Sequence, residues 1–326
     1  MFFLPLRADF TLSRLPYITI LLCIFCVLVF YAQVSNWDKV TRTTQSFCAE
    51  QNDRIFDMVL EKIYQQHGEA GCVTFITHIE STQDRAATIA EVAKSMPSIA
   101  SQGKEKSVQL ATKRLSEKHA AFQSRAPANL TTKLAYEPES YKLATMFTAT
   151  LAHADFMHLF GNLMIFLAFS ASVEIALGFF RYLALYIVLA VTTAVSYSIA
   201  MSVVASPLPT IGLSGVVMGM IGTFMYLVPY ARIKCFIWFF LFYRFITIPA
   251  WILAGWYVGW DTYTLLFGEA QSEINLVAHV SGACFGYLFG VLFCAQIKQR
   301  ISSEMRRTRR WQTRRDTPRY QANEEY

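Results

Sequence analysis

Gly212-Leu213-Ser214-Gly215 opens an apolar run that continues to Val228. A serine at the head of such a run is ordinary by itself. Polar residues recur at the heads of other runs, however: His153, His158 and Asn162 precede or open one, and His279 opens another. Hydrocarbon is a poor solvent for polar side chains, so a recurring set of them inside apolar segments marks a functional site by default. Serine, histidine and asparagine are also the side chains acyl transfer uses as nucleophile, base and oxyanion donors.

The setting is a membrane. Of 326 residues, 54% are apolar and 15% aromatic, and mean hydropathy is +0.33. This excess is gathered into blocks, near Leu15–Ala32, Phe156–Leu177, Tyr182–Val204, Ser214–Val228 and Ile274–Ala295. A further stretch, Ile233–Trp260, is broken by Arg244. Its first part, Cys235–Tyr243, is too short to cross ~30 Å of hydrocarbon. It reads as a segment lying in the interface, with a fifth span starting near Ile246 and Pro249 in its first turn. The pattern predicts an all-α polytopic membrane protein with six spans.

Charge sets an orientation. Arg7, Arg14, Arg181, Arg232, Lys234, Arg244 and a basic tail would share one side, whereas loops Ala205–Thr210 and Asp261–Glu273 carry no Lys or Arg. The tail holds Lys298, Arg300, Arg306, Arg307, Arg309, Arg310, Arg314, Arg315 and Arg319 against Glu304, Asp316, Glu324 and Glu325. Basic flanks mark the cytoplasmic side, so both ends are expected there, in contact with anionic lipid. No base-reading motif accompanies the basic tail, which argues against nucleic acid as a partner. The expected organisation is a cytoplasmic N-terminus 1–14, a first span 15–32 read as an uncleaved anchor, an outer-side insertion domain 33–142, a core 143–297 carrying spans two to six, and a cytoplasmic tail 298–326.

The insertion domain has helix-like periodicity near Asp53–Gln66, Asp84–Met96 and Lys104–Ser124. Its cysteines, Cys48 and Cys72, are candidates for a disulfide in an oxidising compartment. The other five of the seven cysteines, Cys23, Cys26, Cys235, Cys284 and Cys294, lie in apolar segments; a C-x-x-C inside an apolar helix is a poor redox or zinc site.

The charge map puts Ser214 and His279 at matching depth, where an imidazole can act as base toward the hydroxyl and then as acid toward the leaving amine. Gly215 and Gly219 are four apart, as are Gly282 and Gly286. Such spacings let two helices approach closely, as a serine meeting a histidine across them requires. His158 and Asn162 share one helix face and can donate hydrogen bonds while neutral. His153 is assigned to pinning the loop before them, and Asp155 to a loop cap. A zinc site of His153, His158 and His279 lacks an H-E-x-x-H motif and leaves Ser214 without a role.

These motifs, His153-Ala-Asp-Phe-Met-His158-Leu-Phe-Gly-Asn162, Gly212-Leu213-Ser214-Gly215 and Ala278-His279-Val-Ser-Gly282 with Gly286, resemble the rhomboid intramembrane serine proteases, over about Met146 to Gln296. Val173-Glu174 and Leu177-Gly178 fit the end of the family's second span. The resemblance implies a six-helix bundle, Ser214 as nucleophile, His279 as base in a dyad without an acid, and His158, Asn162 and the Ser214 N–H as oxyanion hole. It implies no metal or cofactor, transmembrane protein substrates, a lateral gate in span five and a loop cap after it. Where many members have a Tyr one turn after the serine, this chain has Met218; where many have Trp-Arg, it has Ala144-Thr145. The rival expectations are a non-catalytic rhomboid-like protein that binds or retains membrane clients, and a transporter, which the absence of an inverted repeat disfavours. The six-span form resembles the bacterial type, which places the chain in a bacterial inner membrane; Asn129-Leu130-Thr131 would accept a glycan only on a eukaryotic secretory route.

Overall fold

The computed structural model describes residues 2–8, 14–82, 84–97, 103–204, 207–239, 242–268 and 275–316. Residues 269–274, with the later part of the loop Asp261–Glu273 expected to cap the site, residues 205–206, and the tail from 317, with Arg319, Glu324 and Glu325, lie outside the described residues. In chain order the elements are β1 (Phe2–Ala8), α1 (Tyr17–Ala49), α2 (Arg54–Tyr64), α3 (Gly68–Glu80), α4 (Arg85–Lys94), α5 (Gly103–Gln123), α6 (Leu130–Leu134), α7 (Leu143–Leu151), α8 (Phe156–Leu177), α9 (Phe179–Met201), α10 (Ser214–Leu227), β2 (Arg232–Phe239), β3 (Phe242–Pro249), α11 (Ala250–Phe267), α12 (Leu276–Phe293) and α13 (Ala295–Asp316).

The architecture is a helical membrane fold. Helices α1, α8, α9 and α12 are long and apolar enough to cross a bilayer. Helix α10 has 14 residues, about 21 Å at 1.5 Å per residue, shorter than the ~30 Å hydrocarbon layer. Helix α11 has 18 residues, interrupted by Asp261 among its aromatics.

Two expectations about secondary structure are corrected. Cys235–Tyr243, expected as a segment lying in the interface, falls on the antiparallel strands β2 and β3, to which β1 adds a third strand in the order β1-β2-β3. Alternation explains it: Ile233 and Cys235 are buried while Arg232 and Lys234 are exposed, the period-2 pattern of a half-buried strand. The fifth helix accordingly starts at Ala250 rather than near Ile246. Pro249 occupies its N-cap position rather than its first turn. At its other end α11 continues to Phe267, so Asp261 belongs to a helix and not to the following loop.

The chain divides into two compact units, Met1–Phe30 with Leu134–Tyr326, and Tyr31–Lys133. The second boundary precedes the expected one at 143 because Tyr136 pairs with Thr210, in the bundle, through two backbone hydrogen bonds of 3.0 and 2.9 Å. The first helix also outruns the span expected to end at Ala32, extending to Ala49.

In the larger unit the core is built chiefly from α8–α12, with Ile18, Cys23 and Cys26 of α1, Ile233 and Cys235 of β2 and Ile301 of α13. Helix α10 packs chiefly on α12 and then α8. Gly215 and Gly282, and Gly219 and Gly286, meet in register: a methyl group added at Gly282 or Gly286 would overlap the carbonyl oxygen of Gly215 or Gly219. Gly222 repeats the arrangement against Ala283. Thr223 Oγ1 donates across the interface to the Gly286 carbonyl at 2.8 Å. Far from Ser214, the buried Glu174 carboxylate accepts from Ile18 N at 2.9 Å and Thr19 N at 2.7 Å at the start of α1. Ser170 and Tyr182 share a short hydrogen bond beside it. In hydrocarbon such groups need internal partners, and here they have them.

The unit Tyr31–Lys133 is a small helical domain with an apolar core of Phe47, Phe56, Val59, Leu60, Phe75 and Ile76 among others. The three expected helical stretches correspond to α2, α4 and α5; α3 lies between the first two. Cys48 and Cys72 are joined by a disulfide, their Cα atoms 5.5 Å apart.

Candidate active site

The ends of four helices converge around Ser214. Helices α8, α10 and α12 begin there, and α11 approaches its end there. Ser214, His158, Asn162, Met218, Asp261 and His279 all line one cavity of about 550 Å³.

The serine is held by its own loop. Gly212 adopts φ +125°, a conformation open to glycine, and its N–H donates to Ala149 O at 2.8 Å. A Cβ at Gly212 would stand 2.9 Å from His158 Nε2 and 3.7 Å from Ser214 Oγ. Glycine therefore leaves room for the His158 ring beside the serine. Farther back, Tyr197 OH donates to Leu208 O at 2.8 Å. Leu213 offers no side-chain cap to α10. The first N–H groups of a helix have no intrahelical acceptor. They and the positive end of the helix dipole favour negative charge beside Ser214.

His279 lies in the first turn of α12. Asn275 caps that helix, its Oδ1 accepting from Ala278 N at 2.9 Å. The same side chain's Nδ2 donates to Thr210 Oγ1 at 3.0 Å. One residue thus ties the histidine helix to the serine loop. The His279 ring is bound on one side only: Nδ1 is 2.7 Å from Asp261 Oδ2. Its Nε2 is buried and without a hydrogen-bond partner among the described residues. That nitrogen is the one available to a hydroxyl in the cavity.

On the third side, Asp155 caps α8 by accepting from His158 N at 2.8 Å, the loop-cap role its position suggests. Asn162 is buried and spends one amide hydrogen on His158 O at 2.9 Å; an amide nitrogen carries a second. His153 is 1% exposed and its Nδ1 meets Leu151 O at 3.2 Å. Its ring packs edge-on against His158 with centroids 5.1 Å apart. Burial, reinforced by His158, pushes its pKa down to about 4. It is therefore neutral at physiological pH and holds the loop before α8 by packing and hydrogen bonding.

The structure thus brings the sequence-derived set, Ser214, His279, His158 and Asn162, around a single cavity, with Met218 in its wall. Two contributors were not singled out. Asp261 is remote in sequence and reads as an acid in a loop. Asn275 carried a usable signal, an Asn three residues before Ala278 at a helix start.

Residues 140–296 match the family model described as Rhomboid domain. The chain is 24% identical over 173 residues to "Rhomboid protein 1, mitochondrial" of Saccharomyces cerevisiae (strain ATCC 204508 / S288c), a match covering 50% of this chain and 45% of that protein. The chain therefore matches under half the length of this relative. The order of the three motifs, their meeting at one cavity and the domain match agree: residues 140–296 of this chain are a rhomboid domain.

Proposed function

We propose that the protein is an intramembrane serine endopeptidase that cuts transmembrane or juxtamembrane segments of other membrane proteins. One observation carries this reading: His279, whose Nε2 is buried and without a hydrogen-bond partner among the described residues, lines the same cavity as Ser214, His158 and Asn162. In the reaction Ser214 Oγ bonds to the scissile carbonyl carbon as its proton passes to His279 Nε2. The carbonyl π electrons move to oxygen, where His158, the free Asn162 hydrogen and the Ser214 N–H can meet the charge; losing one such donor typically costs about 10²–10³ in rate. The proton then goes to the leaving amine as the C–N bond breaks, and water releases the acyl group by the same steps.

The short α10 supports the setting. A helix about 21 Å long that starts at Ser214 leaves the serine below one bilayer surface. The cavity then supplies water from that side. Arg181 at the start of α9, and Arg232, Lys234 and Arg244 on the strands between α10 and α11, are exposed, which supports a cytoplasmic assignment for the end of the bundle away from Ser214. The Cys48–Cys72 disulfide supports an oxidising compartment for residues 31–133. A bacterial inner membrane fits these features. In this reading α11 is the lateral gate, as few of its side chains are buried.

A fluorophosphonate probe should label the full-length wild type in detergent, and Ser214→Ala should abolish labelling. Wild type that reacts no faster than the alanine variant would favour the rival reading, a rhomboid-like protein that only binds membrane clients.

A further inference from the structure

The resemblance implies a dyad without an acid, yet the His279 ring is not alone. We propose that Asp261 is the positioning residue for His279: its carboxylate takes the hydrogen on Nδ1, so that the lone pair on Nε2 faces the cavity and Ser214. The proposal rests on the reading of Ser214 and His279 as nucleophile and base.

The geometry carries it. The Oδ2–Nδ1 separation of 2.7 Å is that of a strong, charge-assisted hydrogen bond. Both side chains are largely withdrawn from solvent, at 14% and 18% exposure. Among the described residues no Lys or Arg pairs with Asp261, so His279 is its ion-pair partner. Around the carboxylate α11 is aromatic, with Trp256, Trp260 and Tyr263 exposed, a lipid-compatible face. A carboxylate among such residues is costly unless it is hydrogen-bonded.

A neutral imidazole carries one ring hydrogen, and the acceptor on one nitrogen decides which nitrogen keeps its lone pair. Here the acceptor is at Nδ1 and the unpartnered atom is Nε2. That is the tautomer a base toward Ser214 requires. When the serine proton arrives, the same carboxylate stabilises the imidazolium. Met218, in the cavity wall, can touch a ring but is only a weak acceptor, so it cannot choose the tautomer. A contact from α11 does that instead.

The test measures second-order fluorophosphonate labelling of the full chain in detergent for wild type, Asp261→Asn and Asp261→Glu, with thermal unfolding of each. Labelling of Asp261→Asn should fall about 10²-fold or more, toward the ~10⁴ seen when the acid of a buried serine–histidine–aspartate site becomes an amide. Asp261→Glu should recover most of the loss, and the melting temperatures should stay close together. Histidine ring ¹⁵N spectra of wild type, with His279 identified by its loss in His279→Ala, should show the hydrogen on Nδ1. This second measurement stands if Asp261→Asn fails to fold. Asp261→Asn labelling at the wild-type rate, or a hydrogen on Nε2 in wild type, overturns the positioning role alone. A wild type that never labels sinks the serine reading, and this role with it.

Discussion

The α10–α12 interface and the interior of residues 31–133 are both tightly packed, but by opposite means. In the first, glycines let backbone meet backbone, and a methyl group at Gly222, Gly282 or Gly286 would overlap a carbonyl oxygen of the facing helix. In the second, large side chains fill the space: Phe56, Phe75, Leu60 and Ile76 are at most 1% exposed. Lipid gives apolar side chains little reason to leave it, so helices in a membrane gain by close approach and by hydrogen bonds such as Thr223 to Gly286. Water drives large side chains inward, and the 31–133 unit follows that rule. Packing by approach also fixes where Ser214 and His279 stand, because both sit in the first turns of the joined helices.

The largest effect that sharpens this contrast is truncation in the water-type core. Phe56 is fully buried and packs edge-on against Phe75 with centroids 5.8 Å apart. Phe56→Ala should destabilise the 31–133 unit by about 3–5 kcal/mol, seen as earlier urea-induced proteolysis between α2 and α5. Ser214 labelling should be unchanged, and a proportional loss would show that the two regions share one cooperative fold. Removing the disulfide comes next. A closed loop with a sequence separation of 24 corresponds to about 3.5 kcal/mol of chain-entropy stabilisation. Cys48→Ser with Cys72→Ser should lower the melting of that unit alone; thiols that alkylate in unreduced wild type would mean the bond is not formed.

Enlarging a residue, not shrinking one, is what breaks the lipid-type interface. Gly286→Ala pushes a methyl into the Gly219 carbonyl, and overpacking of this kind costs about 1–3 kcal/mol. Its signature is functional: separating α10 from α12 moves His279 from Ser214, and a shift of about 1 Å at a reacting pair can cost about 10²-fold in rate. Labelling near the wild-type rate would break the claim that glycine contact sets the spacing of Ser214 and His279. Thr223→Val keeps the shape and deletes one interhelical hydrogen bond, so it should cost about 0.6 kcal/mol, in line with such bonds in membranes.

How much of this could be read in advance follows the same division. The glycine spacings and the Ser, His and Asn motifs are local patterns, so the meeting of Ser214, His279, His158 and Asn162 at one cavity was legible. Asp261 was not: its partner is 18 residues away on another helix, and only the end of α11 at Phe267 puts it in register with His279. The hairpin was missed because Cys235–Tyr243 is a short apolar run, which periodicity cannot assign to strand or helix without its partner strands. The long first helix was cut short because hydropathy drops after Ala32 while helical hydrogen bonding continues.

The last effect concerns charge, and it separates the regions by pH. Asp53 caps α2, accepting from Ile55 N at 3.0 Å and Phe56 N at 3.1 Å, and pairs with Lys118 at 3.3 Å. Partial burial pushes its pKa up, but the Phe56 and Lys118 contacts outweigh this and hold it below the ordinary 3.8. A carboxyl whose folded pKa lies below its unfolded one binds fewer protons when folded, so its contribution is complete above the unfolded value. It is lost as pH falls through the lower, folded value. The 31–133 unit should therefore loosen below about pH 4, by no more than the roughly 0.5–2 kcal/mol a cap contributes. Asparagine caps a helix nearly as well as aspartate but does not titrate. Asp53→Asn should thus change stability little at pH 7 while flattening the acid slope of urea midpoints between pH 5 and 2. A slope as steep as that of wild type would move the acid sensitivity away from Asp53 and its Lys118 pairing.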